Sequence, residues 1–408
     1  MHKKIVIISS GQPSANPRAV KEAILLSEKN FNVTFIYCPL SPWADAFDKK
    51  LFEKHSTIKC IQAGYHSQAN KAGYLYARLR NKTWGYIARF VHDNANINIK
   101  AFVLFSQELL KEALKHRADL YIGHNLGSIA AVSKASKKYN AKAGFDAEDF
   151  HRGEVIVSDK KSFQIAAIEN KYFPLMDYCT VASPMIGEAY KEFFPGQTFL
   201  VINNVFAKSN LKKEIVFKPK KTLDLFWFSQ FIGEKRGIEN IIDALNHCKN
   251  LDINLHLLGN INEYYKAKLL ERIHERETLF FLPPSELDKI FIIAREFDIG
   301  LASETAFSDN NNYALSNKIF TYLIAGNCIL FSSTDAQKNF LKQYPNIGIL
   351  YEIGNSKQLS NIIRELYSDR TLLNKMKKNA LKVAKEKLNW EFESEIFLNQ
   401  VNKFINKD

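Results

Sequence analysis

The sequence predicts an α/β protein with two doubly wound domains, each built on a parallel sheet that helices cover on both faces. Short apolar runs alternate with segments of helical spacing along the whole chain of 408 residues, a pattern typical of parallel sheets. A stretch that contains six lysines, residues 207–222, interrupts the alternation, which then restarts. A chain of this length also exceeds what a single hydrophobic core usually contains.

The first domain is expected to span residues 1–206. A short apolar run near the start predicts its first strand, and Pro17 suits the first position of the helix that follows. Strands are predicted at 5–9, 33–37, 120–122, 143–145 and 178–181, and helices at 17–29 and 129–139.

The second domain is expected to span residues 222–389. Its predicted strands are 223–228, 253–258, 279–282, 298–302 and 328–331. Residues 372–407 form two consecutive helical patterns. In the second of these, several large apolar residues need a packing partner: Trp390, Phe392, Ile396, Phe397 and Val401. We therefore expect residues 390–408 to cross back to the first domain.

Composition excludes several classes of protein. The 46% of apolar residues is typical of a globular domain, and no apolar run is long enough for a transmembrane helix. The five cysteines are scattered without a CxxC pair, so neither a zinc site nor a disulfide framework is predicted. The apolar run at the start is too short for a signal peptide, and we expect a cytoplasmic protein. The net charge of +13 fits nucleic acid, an anionic membrane or a phosphorylated substrate.

Two segments of the second half predict a phosphate site. Residues 316–330 predict a helix that Ser316 or Asn317 caps and Gly326 ends, followed by a short buried strand. Lys318 lies in the first turn of this helix. A helix N-terminus attracts anions through its unpaired N–H groups. Residues 227–237 place Lys235 and Arg236 where another helix begins, and cations there oppose the helix dipole unless an anion joins them. The alternative in both segments is that the cations are merely solvated.

Polar loops after predicted strands supply the other candidates. Glu304 lies in a long polar loop, residues 302–312, and could bind hydroxyl groups; the alternative is a mobile surface loop. Gly11 follows the first strand, but the glycine pattern of dinucleotide-binding loops is absent there. His124 follows another strand and is either functional or structural.

The segment AGFDAEDFHRGE, residues 143–154, is unusually rich in charged side chains for a turn. Asp146 or Glu148 could act as a base or hold sugar hydroxyls. The spacing of its Asp, Glu and His residues matches no standard set of metal ligands. The alternative is a solvated acidic loop.

Together these segments resemble the retaining GT-B-fold glycosyltransferases, specifically glycosyltransferase family 4 (glycosyl transferases group 1). The run NKIFTYLIAGNCIL, residues 317–330, is similar to the helix of that family that carries a lysine and ends at a glycine. The run WFSQFIGEKRGIENIIDAL, residues 227–245, is similar to its phosphate-binding turn. Residues 255–260 and 281–301 resemble two further family segments.

The resemblance implies two facing Rossmann-like domains and a donor site for a nucleotide sugar in the second one. Arg236 and Lys318 would neutralise the diphosphate, Gly259 would allow the backbone to approach the nucleotide, and the region that begins at Phe281 would flank the base. The full set of implied donor-binding residues is Gly11, Arg236, Gly259, Phe281, Glu304, Asn317, Lys318 and Thr321. Asp146, Glu148 and His124 would orient the acceptor as the catalytic set.

Three positions depart from the family pattern. Thr321 replaces the glutamate that usually holds the ribose, Gln230 replaces an arginine, and Glu148 replaces a histidine. Thr321 makes at most a weaker hydrogen bond than the two-pronged one of a carboxylate. Glu304 in the preceding loop is expected to compensate.

The implied activity is transfer of a sugar, with retention, to a glycan or lipid-linked acceptor in the synthesis of cell-surface polysaccharide. No cofactor, no metal and no nucleic-acid partner are expected. The alternatives are a GT-B nucleotide-sugar epimerase, which needs no acceptor, and a non-catalytic binder such as a pseudoenzyme. Residues 71–117 contain nine Lys or Arg against three acidic residues, mixed with aromatic ones, and this mixture favours contact with an anionic membrane. The alternative for that segment is helices packed on the sheet with solvated lysines.

Overall fold

The computed structural model describes residues 2–91, 93–154, 160–211 and 220–406. Residues 212–219 of the lysine-rich stretch lie outside this range. The chain divides into two compact units, one of residues 1–202 with 394–408 and one of residues 203–393. Each unit contains one parallel sheet, so the two doubly wound domains predicted from the sequence are confirmed.

The sheet of the first unit has seven strands in the order β3-β2-β1-β4-β5-β6-β7. All neighbouring strands pair in parallel. The strands are β1 (Lys4–Ser9), β2 (Asn32–Tyr37), β3 (Lys59–Gln62), β4 (Leu120–His124), β5 (Lys142–Ala147), β6 (Tyr178–Val181) and β7 (Phe199–Val201). The helices are α1 (Pro17–Glu28), α2 (Asp45–Lys54), α3 (Lys71–Ala88), α4 (Ala95–Phe102), α5 (Ser106–Ala113), α6 (Ile129–Tyr139), α7 (Lys160–Tyr172) and α8 (Pro184–Phe193).

The sheet of the second unit has six parallel strands in the order β10-β9-β8-β11-β12-β13. They are β8 (Leu223–Phe231), β9 (Ile253–Asn260), β10 (Leu279–Leu282), β11 (Ile299–Ala302), β12 (Cys328–Ser332) and β13 (Gly348–Tyr351). The helices are α9 (Ile238–Asn246), α10 (Glu263–Arg272), α11 (Leu287–Ala294), α12 (Asp309–Tyr313), α13 (Asn317–Ala325), α14 (Asp335–Gln343), α15 (Ser356–Ser368), α16 (Arg370–Glu386) and α17 (Trp390–Ile405).

Short 3₁₀ turns connect several of these elements, at Pro13–Ala15, Pro42–Ala44, Leu126–Ser128, His151–Gly153, Phe173–Leu175, Lys208–Leu211 and Arg276–Thr278. No helix within the described part of the chain combines the length and the apolar character that crossing a bilayer requires.

In each sheet the strand order reverses direction beside the first strand of the unit. The reversal lies between β1 and β4 in the first unit and between β8 and β11 in the second. Helices that follow strands on either side of such a point depart to opposite faces, and the gap left at the carboxyl ends is where ligands bind in doubly wound folds. The topology therefore indicates two places for a ligand site, one at the carboxyl ends of β1 and β4 and one at those of β8 and β11.

A glycine on β11 brings helix α13 close to the second sheet. A Cβ atom at Gly300 would lie 2.2 Å from Cγ of Tyr322, so only glycine leaves room for that ring. The Tyr322 hydroxyl donates to the carbonyl oxygen of Phe226 at 3.1 Å, on the adjacent strand β8. This packing fixes where the N-terminus of α13 meets the carboxyl edge of the sheet.

The last helix joins the first unit from Ser394 onward. Phe397 and Val401 are fully buried, and the ring of Phe404 stacks on Tyr178 of β6 at 5.3 Å. Phe392, expected to pack with them, is instead 51% exposed. Glu393 points inward in its place and accepts hydrogen bonds from the main chain and the amide of Asn203 at 3.1 and 2.7 Å.

We expect Phe397→Ala to lower the free energy of unfolding by about 3 to 5 kcal/mol, because it removes a buried ring and leaves a cavity. Phe392→Ala is the matched control on the same helix and should change it by less than about 1 kcal/mol. Urea denaturation of both variants measures the difference. Equal effects of the two substitutions would contradict the packing described for α17.

Candidate functional site

The reversal point of the second sheet is organised by a chain of contacts around Trp227. The buried Trp227 indole donates to Oγ of Ser303 at 3.1 Å, and Ser303 Oγ donates to the carbonyl oxygen of Arg236 at 2.8 Å. Thr305 donates to the carbonyl oxygen of Lys235 at 2.9 Å. The loop after β11 therefore holds the turn after β8, in which Lys235 and Gly237 both have positive φ.

Gly237 is needed in this turn for two reasons. Its φ of 75° is one that glycine adopts without strain. A Cβ atom there would also lie 2.4 Å from the carbonyl oxygen of Ser303. The side chain of Arg236, the residue before Gly237, is exposed, and its guanidinium donates to Oγ of Ser229 at 3.1 Å.

Lys318 and Glu304 form an ion pair beside the same tryptophan. Lys318 Nζ lies 3.0 Å from Glu304 Oε1 and 5.3 Å from the centroid of the Trp227 ring. The second oxygen of Glu304 accepts a hydrogen bond from Gln337 at 2.7 Å. Burial raises the pKa of Glu304, but the Lys318 ammonium outweighs it and the net shift is downward. Lys318 thus carries a charge that Glu304 already compensates.

The N-terminus of α13 completes this group. Ser316 caps the helix by accepting from the main-chain N–H of Lys318 at 3.3 Å. Asn317 occupies the first helical position, where its side-chain oxygen accepts from the amide of Asn204 at 3.0 Å. The structure therefore connects four predicted donor-binding residues through contacts at one end of the sheet: Arg236, Glu304, Asn317 and Lys318.

Three other predicted donor-binding residues have roles within the fold. Thr321 is 2% exposed, and its hydroxyl donates to the carbonyl oxygen of Asn317 inside α13 at 3.1 Å. Gly259 has a φ of 148°, and a Cβ atom there would lie 2.2 Å from the carbonyl oxygen of Ser229. Gly259 is thus explained by a close approach within the protein. Phe281 lies half-buried on the edge strand β10.

The reversal point of the first sheet is held by Asn125. This residue follows β4 with φ 62° and ψ 141°, a conformation that non-glycine residues seldom adopt. Its side-chain oxygen accepts hydrogen bonds from Ser9 at 3.1 Å and from Asn16 at 3.3 Å. Gly11 donates its N–H to Ser9 Oγ at 3.2 Å, and a Cβ atom at Gly11 would meet only ordinary contacts. The fold thus does not require a glycine at position 11.

His124 and Asp146 are both buried in an ion network below this edge. Arg18 Nε and Nη2 donate to the two carboxylate oxygens of Asp146 at 2.6 and 2.8 Å, and Thr180 donates at 2.5 Å. His124 lies between Asp146, at 3.4 Å, and Glu22 of α1, at 3.0 Å. The sequence prediction did not include Arg18 or Glu22, since a helix that faces a sheet normally turns apolar residues inward.

The pKa shifts in this network show that its charges compensate one another. Burial lowers the pKa of His124, but the Glu22 and Asp146 carboxylates raise it to about 10. Burial raises the pKa of Asp146, but Arg18 and His124 shift it well below its ordinary value. The network therefore holds two cations, Arg18 and His124, opposite Asp146 and Glu22.

The same network contains three possible metal ligands. Glu22, His124 and Asp146 offer three ligand atoms within 4.8 Å of one another. Both oxygens of Asp146, however, already accept hydrogen bonds from a buried guanidinium, and a metal ion would add charge to a group that is balanced without it. The donor set fits an ion network better than a metal centre.

Glu148 differs from these buried residues. It follows β5 directly, is half-buried, and no hydrogen bond or ion pair joins its carboxylate to any residue that the structure describes. Burial and the charges of Asp146 and Asp149 raise its pKa to about 7. A carboxyl group that titrates near neutrality at the end of a parallel strand is a candidate for acid–base or hydroxyl-binding chemistry.

Solved structures with the same fold cover almost the whole chain. The Anabaena protein Alr3699/HepE in complex with UDP is 14% identical over 98% of this chain and all of its own, with a TM-score of 0.70. Sucrose-phosphate synthase from Thermosynechococcus elongatus is 12% identical over 99% of this chain and all of its own, with a TM-score of 0.71. A proposed UDP-N-acetylglucosamine 2-epimerase from Listeria monocytogenes is 12% identical over 99% of this chain and 96% of its own, with a TM-score of 0.58.

No protein-family model matches the chain, and no curated protein matches it by sequence. At such low identities the structural comparisons show the fold alone. That fold is GT-B, in which two Rossmann-like domains follow one another along the chain.

The raised pKa of His124 predicts a pH dependence of stability. The folded protein keeps this proton up to about pH 10, whereas the unfolded chain loses it near pH 6.5. Its contribution is therefore complete below pH 6.5 and declines as the pH rises toward 10, by up to about 1.4 kcal/mol per pH unit. Asp146 contributes in the opposite sense, since its stabilisation is lost only as the pH falls below about 4.

Urea denaturation between pH 6.5 and 10 measures this decline. His124→Gln should flatten the slope, while His274→Gln, on an exposed histidine of the second unit, should retain it. A wild-type slope in the His124→Gln variant would show that the buried imidazole does not hold an extra proton.

Proposed function

We propose that the protein transfers a sugar from a nucleotide-diphosphate sugar to a glycan or lipid-linked acceptor, with retention of configuration. The observation that carries the proposal is the contact chain from Arg236 through Ser303 and Trp227 to Lys318 at the reversal point of the second sheet. The GT-B fold supports it, because HepE of that fold has been crystallised with UDP-glucose. The biological role that we propose is synthesis of capsule, lipopolysaccharide or exopolysaccharide at the inner face of the membrane.

The second unit would bind the donor. It contains the domain predicted at residues 222–389. The exposed Arg236 guanidinium and the N-terminus of α13 would bind the diphosphate, whose negative charge grows as the bond to the sugar breaks. Fixed cations and helix N-termini can supply that stabilisation without a metal ion, and we expect none to be needed. Phe281 would flank the base, whereas Glu304 would hold Lys318 in place and Gly259 would keep β9 close to Ser229.

The first unit would bind the acceptor. We assign contact with the acceptor hydroxyl to Glu148, because its carboxylate is half-buried and without a described partner. Asp146 and His124 would act as positioning residues, since both are buried and their charges are compensated by Arg18 and Glu22. Gly11 would allow a ligand to approach the main chain closely, because the contacts around it do not themselves require a glycine.

A second candidate is a nucleotide-sugar epimerase, which the similarity to the Listeria structure favours. An epimerase converts the nucleotide sugar without an acceptor, whereas a transferase releases the nucleotide diphosphate only as the sugar moves. Product analysis of the nucleotide sugar with and without acceptor distinguishes the two. Binding without any turnover would instead indicate a pseudoenzyme.

We expect UDP-glucose, or another UDP-, GDP-, CDP- or dTDP-sugar, to raise the melting temperature of the protein. At a hundred times its dissociation constant a ligand adds about 2.7 kcal/mol of stability. Arg236→Ala removes a charge-assisted contact of about 1.5 to 3 kcal/mol and should weaken binding by roughly ten- to a hundredfold. Thermal-shift titration measures both effects.

The matched control is Arg276→Ala, since Arg276 is also exposed in the second unit and also makes one described hydrogen bond, to the carbonyl oxygen of Leu270. Equal titrations of the two variants would remove Arg236 from the donor site. Absence of a shift with every nucleotide sugar would overturn the donor assignment. Lys318→Ala is a poorer probe, because it leaves Glu304 without its cation and should itself destabilise the protein by about 3 to 5 kcal/mol.

We expect the rate of transfer to rise with pH through about 7, because the Glu148 carboxylate binds the acceptor hydroxyl more strongly, and takes up its proton more readily, than the neutral carboxyl group does. Glu148→Gln should lower kcat by about 10² to 10⁴ and remove this rise, while the thermal shift with the donor stays unchanged. Glu188→Gln, at an exposed carboxylate of α8, is the control. An unaltered pH profile in Glu148→Gln would exclude Glu148 from the reaction.

A further inference from the structure

Helix α3 presents a row of large apolar side chains to solvent. Leu75, Tyr76, Leu79, Tyr86 and Phe90, here called the α3 stripe, are all more than half exposed, and Leu79 and Phe90 reach 68% and 70%. Phe90 lies in the turn that directly follows α3, where its N–H donates to the carbonyl oxygen of Ile87 at 3.0 Å. At 3.6 residues per turn the stripe falls within an arc of about 100°.

Basic residues line one side of the α3 stripe. Lys71, Arg78, Lys82 and Arg89 are exposed and share an adjacent arc of about 40°. No acidic residue occurs between positions 71 and 92 of the sequence. Arg80 of α3 pairs with Glu108 at 2.6 Å, and its position on the helix lies opposite this basic row.

The opposite face of α3 packs against the first unit through residues outside the stripe. Ala77 and Ala88 are fully buried. The amide of Asn81 donates to two carbonyl oxygens at the end of α4, at 2.8 and 3.0 Å, and Lys100 of α4 lies 4.1 Å from the centroid of the Trp84 ring. The described ring contacts of the stripe stay on this segment, from Tyr76 to Arg80 at 5.4 Å and from Tyr86 to Phe90 at 5.3 Å. The outward face therefore leaves several large apolar side chains in water, and an exposed apolar row of this size marks an interaction surface.

We propose that the α3 stripe inserts into the surface of an anionic lipid bilayer and that the basic row beside it binds the lipid phosphates. An apolar face rich in aromatic residues with cations at its edge is the composition of helices that lie in the membrane interface. A second copy of the chain is a poorer occupant, because the helix offers no carboxylate to pair with the partner's basic row. The proposed function places the protein at the inner face of the membrane, and this inference identifies the surface that would bind there. It rests on the proposed function only for that location.

The test is flotation of the full chain with phosphatidylglycerol–phosphatidylcholine vesicles in the absence of donor and acceptor. The wild-type protein should float with these vesicles, and with phosphatidylcholine alone or at high salt it should stay in solution. Replacing Arg78, Lys82 and Arg89 together by Gln should lower the partition coefficient roughly a hundredfold, since each cation contributes about 1 kcal/mol. The matched control replaces three exposed lysines of α16, Lys375, Lys378 and Lys382, by Gln.

The apolar part of the surface is tested separately. Leu75→Ser combined with Leu79→Ser should lower the partition coefficient by at least about tenfold, whereas Leu175→Ser should leave it unchanged. Leu75 and Leu175 are matched in exposure, at 56% and 55%. These side chains are exposed, so all variants should melt as the wild type does.

Two outcomes would overturn the inference: wild-type protein that stays in solution with anionic vesicles, or stripe variants that float as well as the wild type. A dimer in analytical ultracentrifugation that the Leu75→Ser and Leu79→Ser pair dissociates, without vesicle binding, would assign the surface to self-association. If these outcomes occur while nucleotide sugar still raises the melting temperature, the membrane inference fails and the proposed donor binding does not.

Discussion

Compensation of buried charge is the constraint on which both candidate sites depend. A carboxylate buried near the end of a strand is unstable unless a cation and hydrogen bonds accompany it. In the first unit Arg18 occupies both oxygens of Asp146, and in the second Lys318 and Gln337 occupy those of Glu304. The carboxylates that are paired in this way stabilise the site, which leaves Glu148 and Arg236 as the more accessible groups for ligands.

The two units share one strand topology but carry different side chains at its reversal point. Each reverses its strand order beside its first strand, so loops from two neighbouring strands meet at the carboxyl edge. In the first unit the meeting loops are linked through the Asn125 amide, and in the second through the Ser303 hydroxyl. The second arrangement adds the N-terminus of α13 and the exposed Arg236 guanidinium, and of the two it is the better candidate for binding an anion.

The sequence predicted the central strands well and missed three at the edges. β1, β2, β4, β5 and β6 and β8 to β12 all lie where apolar runs predicted them, whereas β3, β7 and β13 were not predicted. Each of the three is an edge strand. An edge strand is covered less completely than a central one, and none of the residues of β3 is fully buried. β7 and β13 are apolar but span only three and four residues, whereas the edge strand β10 was predicted from its apolar run. Periodicity gives its weakest signal in edge strands that are partly exposed or very short.

By itself the sequence determined the two doubly wound domains, the capped helix that begins at Asn317 and the turn that carries Arg236, because these depend on local apolar spacing and on glycine and cap residues. Only the tertiary structure decided which charged residues are available. Arg18 and Glu22 lie on a helix like any other until packing on the sheet buries them opposite His124 and Asp146. Lys318 is a free cation in the sequence and half of an ion pair in the structure. The physical reason is that burial and charge pairing arise between residues distant along the chain, and local sequence patterns do not record those contacts.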